Sequence, residues 1–239
     1  TRLAARIICL SDYVRSTVLQ HTEVNPQRII TIYARLFHRL TKVSAATVAK
    51  VIKSLELEEG RFLLYPANFW PHKNHAMLFT AFGMYRTRHP SSNLKLVCTG
   101  APGPAMERMR DAADRMGLGQ WIVFPGYLPE EEFTALLQAC RALIFPSLYE
   151  GFGMPVLEAM AFGKPVLCSN VTSLPEVAGE AAVLFDPRKP QEILRAIEVV
   201  ETDSGLVAHR SVYLQRDERE AGSHPLGFDP LFVTRDDFQ

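Results

Sequence analysis

The sequence has no excess of charge of either sign and no long hydrophobic run. Lys and Arg together number 26, as do Asp and Glu, so the formal net charge is zero. Proteins that bind nucleic acid usually carry a basic excess, so no nucleic-acid partner is expected. No apolar run approaches the roughly 18 residues of a membrane-spanning helix, and the chain does not open on a signal peptide. We therefore expect a cytoplasmic protein.

The few cysteines are arranged in a way that argues against disulfides and structural metals. Cys9, Cys98, Cys140 and Cys168 form no CxxC pair, and no histidines cluster at metal-ligand spacing. No metal site is therefore expected. Each cysteine lies in or beside an apolar run, which favours buried free thiols over disulfides.

Short apolar runs alternate with amphipathic segments along most of the chain. The predicted strands cover residues 5–10, 28–32, 61–66, 94–99, 121–125, 142–146, 165–168 and 182–185. The predicted helices lie near residues 12–21, 44–56, 74–88, 104–116, 129–140, 155–163 and 190–201. Strands that are apolar on both faces and alternate with helices predict an α/β fold with a doubly wound parallel sheet. In such sheets ligands bind beyond the carboxyl ends of the strands.

The predicted strand ends from 61–66 to 142–146 are followed by turns that contain the unusual residues. The first turn contains Trp70-Pro71-His72-Lys73-Asn74, and the last contains Glu150-Gly151-Phe152-Gly153-Met154-Pro155. Glycine and proline are frequent in these turns, and parallel strands end at the same edge of a sheet. The four turns therefore predict one continuous ligand crevice.

Residues 150–158 have the spacing of a ligand-binding turn that leads into a helix. Gly151 and Gly153 allow the backbone to approach a ligand, with free N–H groups at the helix start. Glu158 follows one turn later, where a carboxylate can accept two hydrogen bonds from a vicinal diol such as ribose. The alternative is a glycine turn followed by a solvated glutamate that the helix dipole stabilises. The spacing alone does not decide between them.

Residues 141–187, which contain this turn and the run Leu-Pro-Glu-Val-Ala-Gly, resemble the family 4 glycosyltransferases of the GT-B fold. Glu150 and Glu158, with seven residues between them, match the two-glutamate motif of that family. The turn at 70–74 resembles the donor-phosphate loop of the family. Gly126-Tyr127-Leu128, followed by an acidic helix, also resembles the family's sequence at that place. The resemblance covers about residues 60–200. It implies a Rossmann-like C-terminal lobe that binds a nucleotide-diphosphate sugar as substrate and needs no cofactor.

The resemblance also implies a role for each matching residue. Glu150 would lie beside the transferred sugar, Glu158 would hold the ribose hydroxyls, and Lys73 would neutralise the departing diphosphate, on which negative charge develops. The sugar or the phosphates would contact the backbone amides of Phe152, Gly153 and Met154. The alternative for Lys73 is a solvated side chain at a helix start, where its charge opposes the dipole.

Further residues of the predicted crevice are assigned to the donor on the same resemblance. Asn68 stands where many relatives have an arginine as a second phosphate cation, so that charge must come from elsewhere. Gly100 lies in the turn after residues 94–99. Tyr127 and Leu128 would flank the nucleobase, with core packing at a strand end as the alternative. Residues 172–173 (Thr-Ser) are expected to cap a short helix, with ligand contact as the alternative.

The resemblance divides the chain into three parts. Residues 1–35 would be a remnant of the N-terminal acceptor lobe and a linker, in which Ser11 caps a helix. Residues 36–220 would form the nucleotide-sugar-binding lobe, and residues 221–239, which show no periodicity, an irregular tail. The acceptor pocket would then lie in a missing lobe, through which any peripheral membrane contact would be made.

The predicted function is transfer of a hexose from a nucleotide-diphosphate sugar to a sugar or lipid-linked acceptor, with retention at the anomeric carbon. The sequence of the loop at residues 70–74 favours a mannosyl donor. The main alternative is a non-catalytic nucleotide-sugar-binding fragment that lacks the acceptor lobe. A sugar-nucleotide epimerase is a third possibility, which the context of Glu150 and Glu158 fits poorly.

Overall fold

A computed structural model describes residues 4–34 and 40–202, whose strands form two parallel sheets. The small sheet pairs β1 (Ile7–Cys9) with β2 (Ile29–Thr31). The large sheet has the strand order β5-β4-β3-β6-β7-β8. Its strands are β3 (Phe62–Pro66), β4 (Lys95–Thr99), β5 (Ile122–Gly126), β6 (Ala142–Phe145), β7 (Val166–Ser169) and β8 (Ala182–Phe185). All neighbouring strands run parallel, which confirms the predicted doubly wound α/β fold.

The helices lie close to the predicted positions, and one short helix was foreseen only through its expected caps. They are α1 (Asp12–His21), α2 (Ala45–Ser54), α3 (His75–Arg88), α4 (Pro104–Arg115), α5 (Glu130–Ala139), α6 (Met154–Ala161), α7 (Leu174–Ala178) and α8 (Pro190–Thr202). Helix α3 packs with α4 and α8, and α2 packs with α5, as expected for right-handed crossovers that place helices on both faces of the sheet. A 3₁₀ turn, Pro71–Lys73, precedes α3.

The core is built on the central strands, which are buried on both faces. In β3 the side chains of Phe62, Leu63, Leu64 and Tyr65 are all fully buried, although successive residues point to opposite faces. This burial explains why the sequence shows continuous apolar runs rather than alternation. The four cysteines are buried and free, which confirms the prediction for them.

The strand order reverses between β3 and β6, and the predicted ligand crevice falls at this switch point. From β3 the chain moves outward to β4 and β5, then returns to place β6 on the other side of β3. The chain continues from β3 and from β6 in opposite directions across the sheet, and the carboxyl edge at such a switch point is the usual ligand site of open α/β sheets. The loop after β3 contains Lys73, and the loop after β6 contains Glu150.

The unit β1-α1-β2 contacts the large sheet at its carboxyl edge. Ser11 caps α1 as predicted, because its Oγ accepts a hydrogen bond from the Val14 amide at 3.2 Å. The same Oγ donates to the carbonyl of Gly151 at 2.8 Å. The division at residue 35 stays a prediction, and the predicted tail at 221–239 lies outside the described residues. Within the described ranges, no helix has the length and apolar character to cross a membrane.

Candidate active site

Lys73 and Glu150 form an ion pair at the crevice. Lys73 Nζ lies 2.6 Å from Glu150 Oε1, and the two side chains are only 15% and 13% exposed. The ammonium group also lies 5.4 Å from the centroid of the Phe145 ring. The alternative of a solvated lysine at a helix start is therefore wrong. The structure brings together a cation and a carboxylate that are 77 residues apart in the chain.

The turn that carries Lys73 is fixed by hydrogen bonds to the loop after β6. Asn74 adopts the left-handed conformation (φ 62°), which ends the 3₁₀ turn and begins α3. Its side-chain amide donates to the carbonyls of Pro146 at 3.1 Å and Pro187 at 2.8 Å. The amide of Leu148 donates to the carbonyl of His72 at 2.7 Å. These bonds hold the two loops at a fixed separation, so the ion pair is preorganised.

A neutral histidine lies directly below this turn. His75 is 3% exposed, and its ring lies 4.7 Å from the ring centroids of both Tyr65 and Phe69. Burial, and secondly the positive charge of Lys73, lower the pKa of His75 to about 3. The Tyr65 hydroxyl donates to the Lys73 carbonyl. Lys73 is therefore supported by an uncharged aromatic layer at neutral pH.

The turn at residues 150–153, which we call the Glu150 turn, ends in a glycine that no other residue can replace without strain. Gly153 has φ 104°, and a Cβ there would lie 2.6 Å from Leu174 Cδ2. Among the described residues, no acceptor binds the backbone N–H groups of Phe152, Gly153 or Met154. These donors lie at the start of α6, where the helix dipole favours an anion. The turn therefore offers N–H donors to a ligand, and the predicted contact of these amides with the sugar or the phosphates stays a prediction.

Glu158 lies one turn into α6 and is only 3% exposed. The alternative of a solvated surface glutamate is therefore wrong. A carboxylate in such surroundings is costly unless it is paired or hydrogen-bonded. Its assignment to the ribose hydroxyls stays a prediction.

Asn68 and Gly100 join the turns after β3 and β4. The side-chain oxygen of Asn68 accepts a hydrogen bond from the Ala101 amide at 2.8 Å. Gly100 is buried, and a Cβ there would lie 2.7 Å from the carbonyl oxygen of Ala67. Both residues thus have a structural task at the edge of the crevice. Their contact with the donor stays a prediction.

The two residues predicted to flank the nucleobase differ in exposure. Tyr127 is 79% exposed, which is incompatible with the alternative of core packing, whereas Leu128 is half-buried and packs against the core. Two further aromatic side chains near the crevice are exposed, Trp70 at 58% and Tyr149 at 48%. Tyr149 is not among the predicted site residues, although its position next to Glu150 in the sequence is a signal for it.

The prediction that Thr172 and Ser173 cap a short helix is wrong. Ser173 occupies the residue before α7 but makes no capping bond. Its hydroxyl donates instead to the carbonyls of Glu150 at 3.0 Å and Phe152 at 3.1 Å. The Thr172 hydroxyl accepts a hydrogen bond from the Glu150 amide at 3.1 Å. Both hydroxyls bind the Glu150 turn because β6 and β7 are neighbours, so that the loops after them meet.

Comparison with known proteins decides the family of this chain. Residues 49–216 match the family model described as "Glycosyl transferases group 1". The chain belongs to this glycosyltransferase family. It is 35% identical over 188 residues to the O-antigen chain mannosyltransferase B of Escherichia coli, covering 77% of this chain and 48% of that protein. It is 30% identical over 203 residues to the serotype-specific mannosyltransferase WbdA of Escherichia coli, covering 84% of this chain and 25% of that protein.

Solved structures share the fold of this chain. Anabaena Alr3699/HepE, in complex with UDP and glucose, matches with a TM-score of 0.80 at 19% identity, over 92% of this chain and 59% of that one. WaaG, a glycosyltransferase involved in lipopolysaccharide biosynthesis, matches with a TM-score of 0.75 at 18% identity, over 94% of this chain and 60% of that one. The sheet is thus the Rossmann-like sheet of GT-B glycosyltransferases. The chain spans about half or less of the two mannosyltransferases above.

Proposed function

We propose that this chain binds a nucleotide-diphosphate sugar in the crevice between β3 and β6, as the donor lobe of a hexosyltransferase. The observation that carries the proposal is the Lys73–Glu150 pair beside the open amides of residues 152–154. A diphosphate needs cations and N–H donors, and a sugar needs acceptors for its hydroxyl groups. Both kinds of group converge at the point where ligands bind in open α/β sheets.

The charges at the crevice match the charge that develops during transfer. When the glycosidic bond to phosphate breaks, negative charge grows on the departing nucleoside diphosphate. Lys73 and the amides at the start of α6 are preorganised to stabilise that charge. Lys73 Nζ would exchange Glu150 for a phosphate oxygen, which frees the Glu150 carboxylate for the sugar hydroxyls. Glu158 would accept hydrogen bonds from the ribose.

Mannose is the proposed sugar, and retention the proposed stereochemical outcome. Mannose is supported by the two Escherichia coli mannosyltransferases at 30% and 35% identity. Retention is supported by the match of Glu150 and Glu158 to the two-glutamate motif. A sugar or lipid-linked acceptor would bind in the part of the protein that relatives have and this chain does not span. A cytoplasmic location, with any membrane contact made by that other part, stays a prediction.

The alternative is a chain that binds the donor without transferring the sugar. It is favoured by one observation, that the chain covers only 48% of mannosyltransferase B. GT-B enzymes hold the donor between two lobes, so a donor lobe alone would leave one side of the sugar open to water.

Incubation of the full chain with GDP-mannose and with UDP-glucose separates these functions. Calorimetry reports binding, and release of GDP or UDP reports hydrolysis or transfer. The proposal expects saturable binding of one donor and its slow hydrolysis, which Glu150→Gln abolishes. Saturable binding without release supports the binding fragment. Binding of neither donor overturns the proposal.

A further inference from the structure

Three hydroxyl groups hold the peptide groups of the Glu150 turn. They belong to Ser11, Thr172 and Ser173, which we call the hydroxyl cradle. The Thr172 hydroxyl accepts a hydrogen bond from the Glu150 amide at 3.1 Å. The Ser11 hydroxyl donates to the Gly151 carbonyl at 2.8 Å. The Ser173 hydroxyl donates to the carbonyls of Glu150 at 3.0 Å and Phe152 at 3.1 Å. Three consecutive residues of the turn are therefore bonded to segments from elsewhere in the chain.

The two serines of the cradle are placed for these bonds rather than for solvent. Ser11 and Ser173 are both 0% exposed. A buried hydroxyl without a partner costs free energy, whereas alanine would fill much of the same space at no such cost. The serines are therefore matched to the turn, whose carbonyls receive a donor from each of them.

Thr172 holds a backbone conformation that its side chain disfavours. Its φ is 59°, in the left-handed region, where a β-branched residue is strained. Glycine would adopt this conformation freely. Threonine instead supplies a hydroxyl whose proton is donated to the Val171 carbonyl at 2.7 Å. Its lone pair is thereby directed at the Glu150 amide.

The cradle also determines where the open amides point. In a trans peptide the C=O and the following N–H point in opposite directions. Because Ser11 binds the Gly151 carbonyl, the Phe152 N–H points away from Ser11. Because Ser173 binds the Phe152 carbonyl, the Gly153 N–H points away from Ser173. The bonds at Glu150 fix its backbone in the same way, and its carboxylate then reaches Lys73.

We propose that Thr172 and Ser173 are positioning residues of the donor site, which aim the amides of residues 152–154 at the donor diphosphate and hold the Glu150 carboxylate beside Lys73. This inference rests on the proposed function. It assigns the two hydroxyls no contact with the donor. They act through the turn, so their loss affects recognition of the diphosphate and spares recognition of the nucleoside through Glu158.

The test compares Thr172→Gly with Thr172→Ser in the full chain. Calorimetry gives the affinities of GDP and guanosine, and of UDP and uridine, for each variant. Thr172→Gly relaxes the backbone but removes the hydroxyl, so we expect about a tenfold loss of diphosphate affinity without a loss of nucleoside affinity or of melting temperature. Thr172→Ser keeps the hydroxyl and is expected to match the wild type. Thr80→Ala removes a hydroxyl from the exposed face of α3 and serves as the control.

Hydrogen exchange at residues 150–154 tests the cradle without a ligand. We expect the Glu150 amide to exchange faster in Thr172→Gly than in the wild type or Thr172→Ser. Unchanged exchange overturns the inference, as does an unchanged ratio of diphosphate to nucleoside affinity. An equal loss of both affinities with a lower melting temperature indicates a purely structural role and also overturns it. A wild-type chain that binds neither diphosphate refutes the proposed function instead, and exchange then decides on the cradle alone.

Discussion

At the scale of single residues, the Lys73–Glu150 pair dominates the candidate site. Both side chains are mostly buried, so each charge is stabilised mainly by the other. Removing one partner leaves the other charge uncompensated in a poorly hydrated position. This destabilises the protein more than removing both partners does. The same two residues therefore stabilise the free protein and are proposed to act in sugar transfer.

A double-mutant cycle measures this coupling. We expect Lys73→Ala and Glu150→Ala each to lower the free energy of unfolding by about 2–3 kcal/mol. The double variant is expected to lose clearly less than the sum, because it leaves no unpaired charge. Urea unfolding of the four proteins provides the values. Additive losses would mean that the two charges do not interact.

Glu158 has a testable part in nucleotide binding. We expect Glu158→Ala to weaken binding of the nucleoside diphosphate by about 1–3 kcal/mol, because charge-assisted hydrogen bonds to the ribose are lost. Calorimetry is the measurement, and Glu180→Ala, which changes an exposed glutamate near β8, is the control. Equal affinities of Glu158→Ala and the control would remove Glu158 from the site.

His75 makes stability depend on pH. Its pKa is about 3 in the folded protein and about 6.5 in an unfolded chain. Below pH 6.5 the unfolded state therefore binds a proton that the folded state does not, and stability falls as pH falls towards 3. The free energy of unfolding then falls by up to about 1.4 kcal/mol for each pH unit. Urea unfolding at pH 7.5 and pH 5 is expected to show a smaller loss for His75→Phe than for the wild type, and equal losses would refute this role.

At the scale of elements, the strands and helices were predictable and the contacts between loops were not. Continuous apolar runs such as 62–65 indicate buried strands directly, and the regular alternation with helices implies the parallel sheet. The alternation also predicts that the ligand crevice lies at the carboxyl ends of the strands. The partners of Thr172 and Ser173 could not be predicted, because they depend on two loops that only the folded sheet brings together. The same holds for the left-handed Asn74, which no glycine marks.

Gly153 shows how tightly the turn before α6 is packed. We expect Gly153→Ala to lower stability more than Gly117→Ala does. Both positions have positive φ, of 104° and 71°, but a Cβ at 153 meets the buried Leu174, whereas a Cβ at 117 meets nothing within 4 Å. The difference is expected to be about 1–3 kcal/mol, the cost of overpacking. Urea midpoints measure it, and equal losses would show that Leu174 moves aside freely.

At the scale of the whole molecule, zero net charge and the proposed anion site are compatible. The formal charges cancel over the 239 residues, while one cation and several amides are concentrated at the edge of the large sheet. Net charge governs weak, long-range attraction, whereas a buried local site governs binding of a small ligand. The family assignment agrees with this division, since a glycosyltransferase needs a local site for its donor.

Lys73, held at the crevice by Glu150, is proposed to bind the diphosphate of the donor. Calorimetric titration of the wild-type chain and of Lys73→Gln with GDP and with UDP tests this role. We expect saturable binding of one nucleotide at a single site, with affinity reduced about tenfold in Lys73→Gln. No saturable binding of either nucleotide, or equal affinities for the two proteins, would refute this role of Lys73.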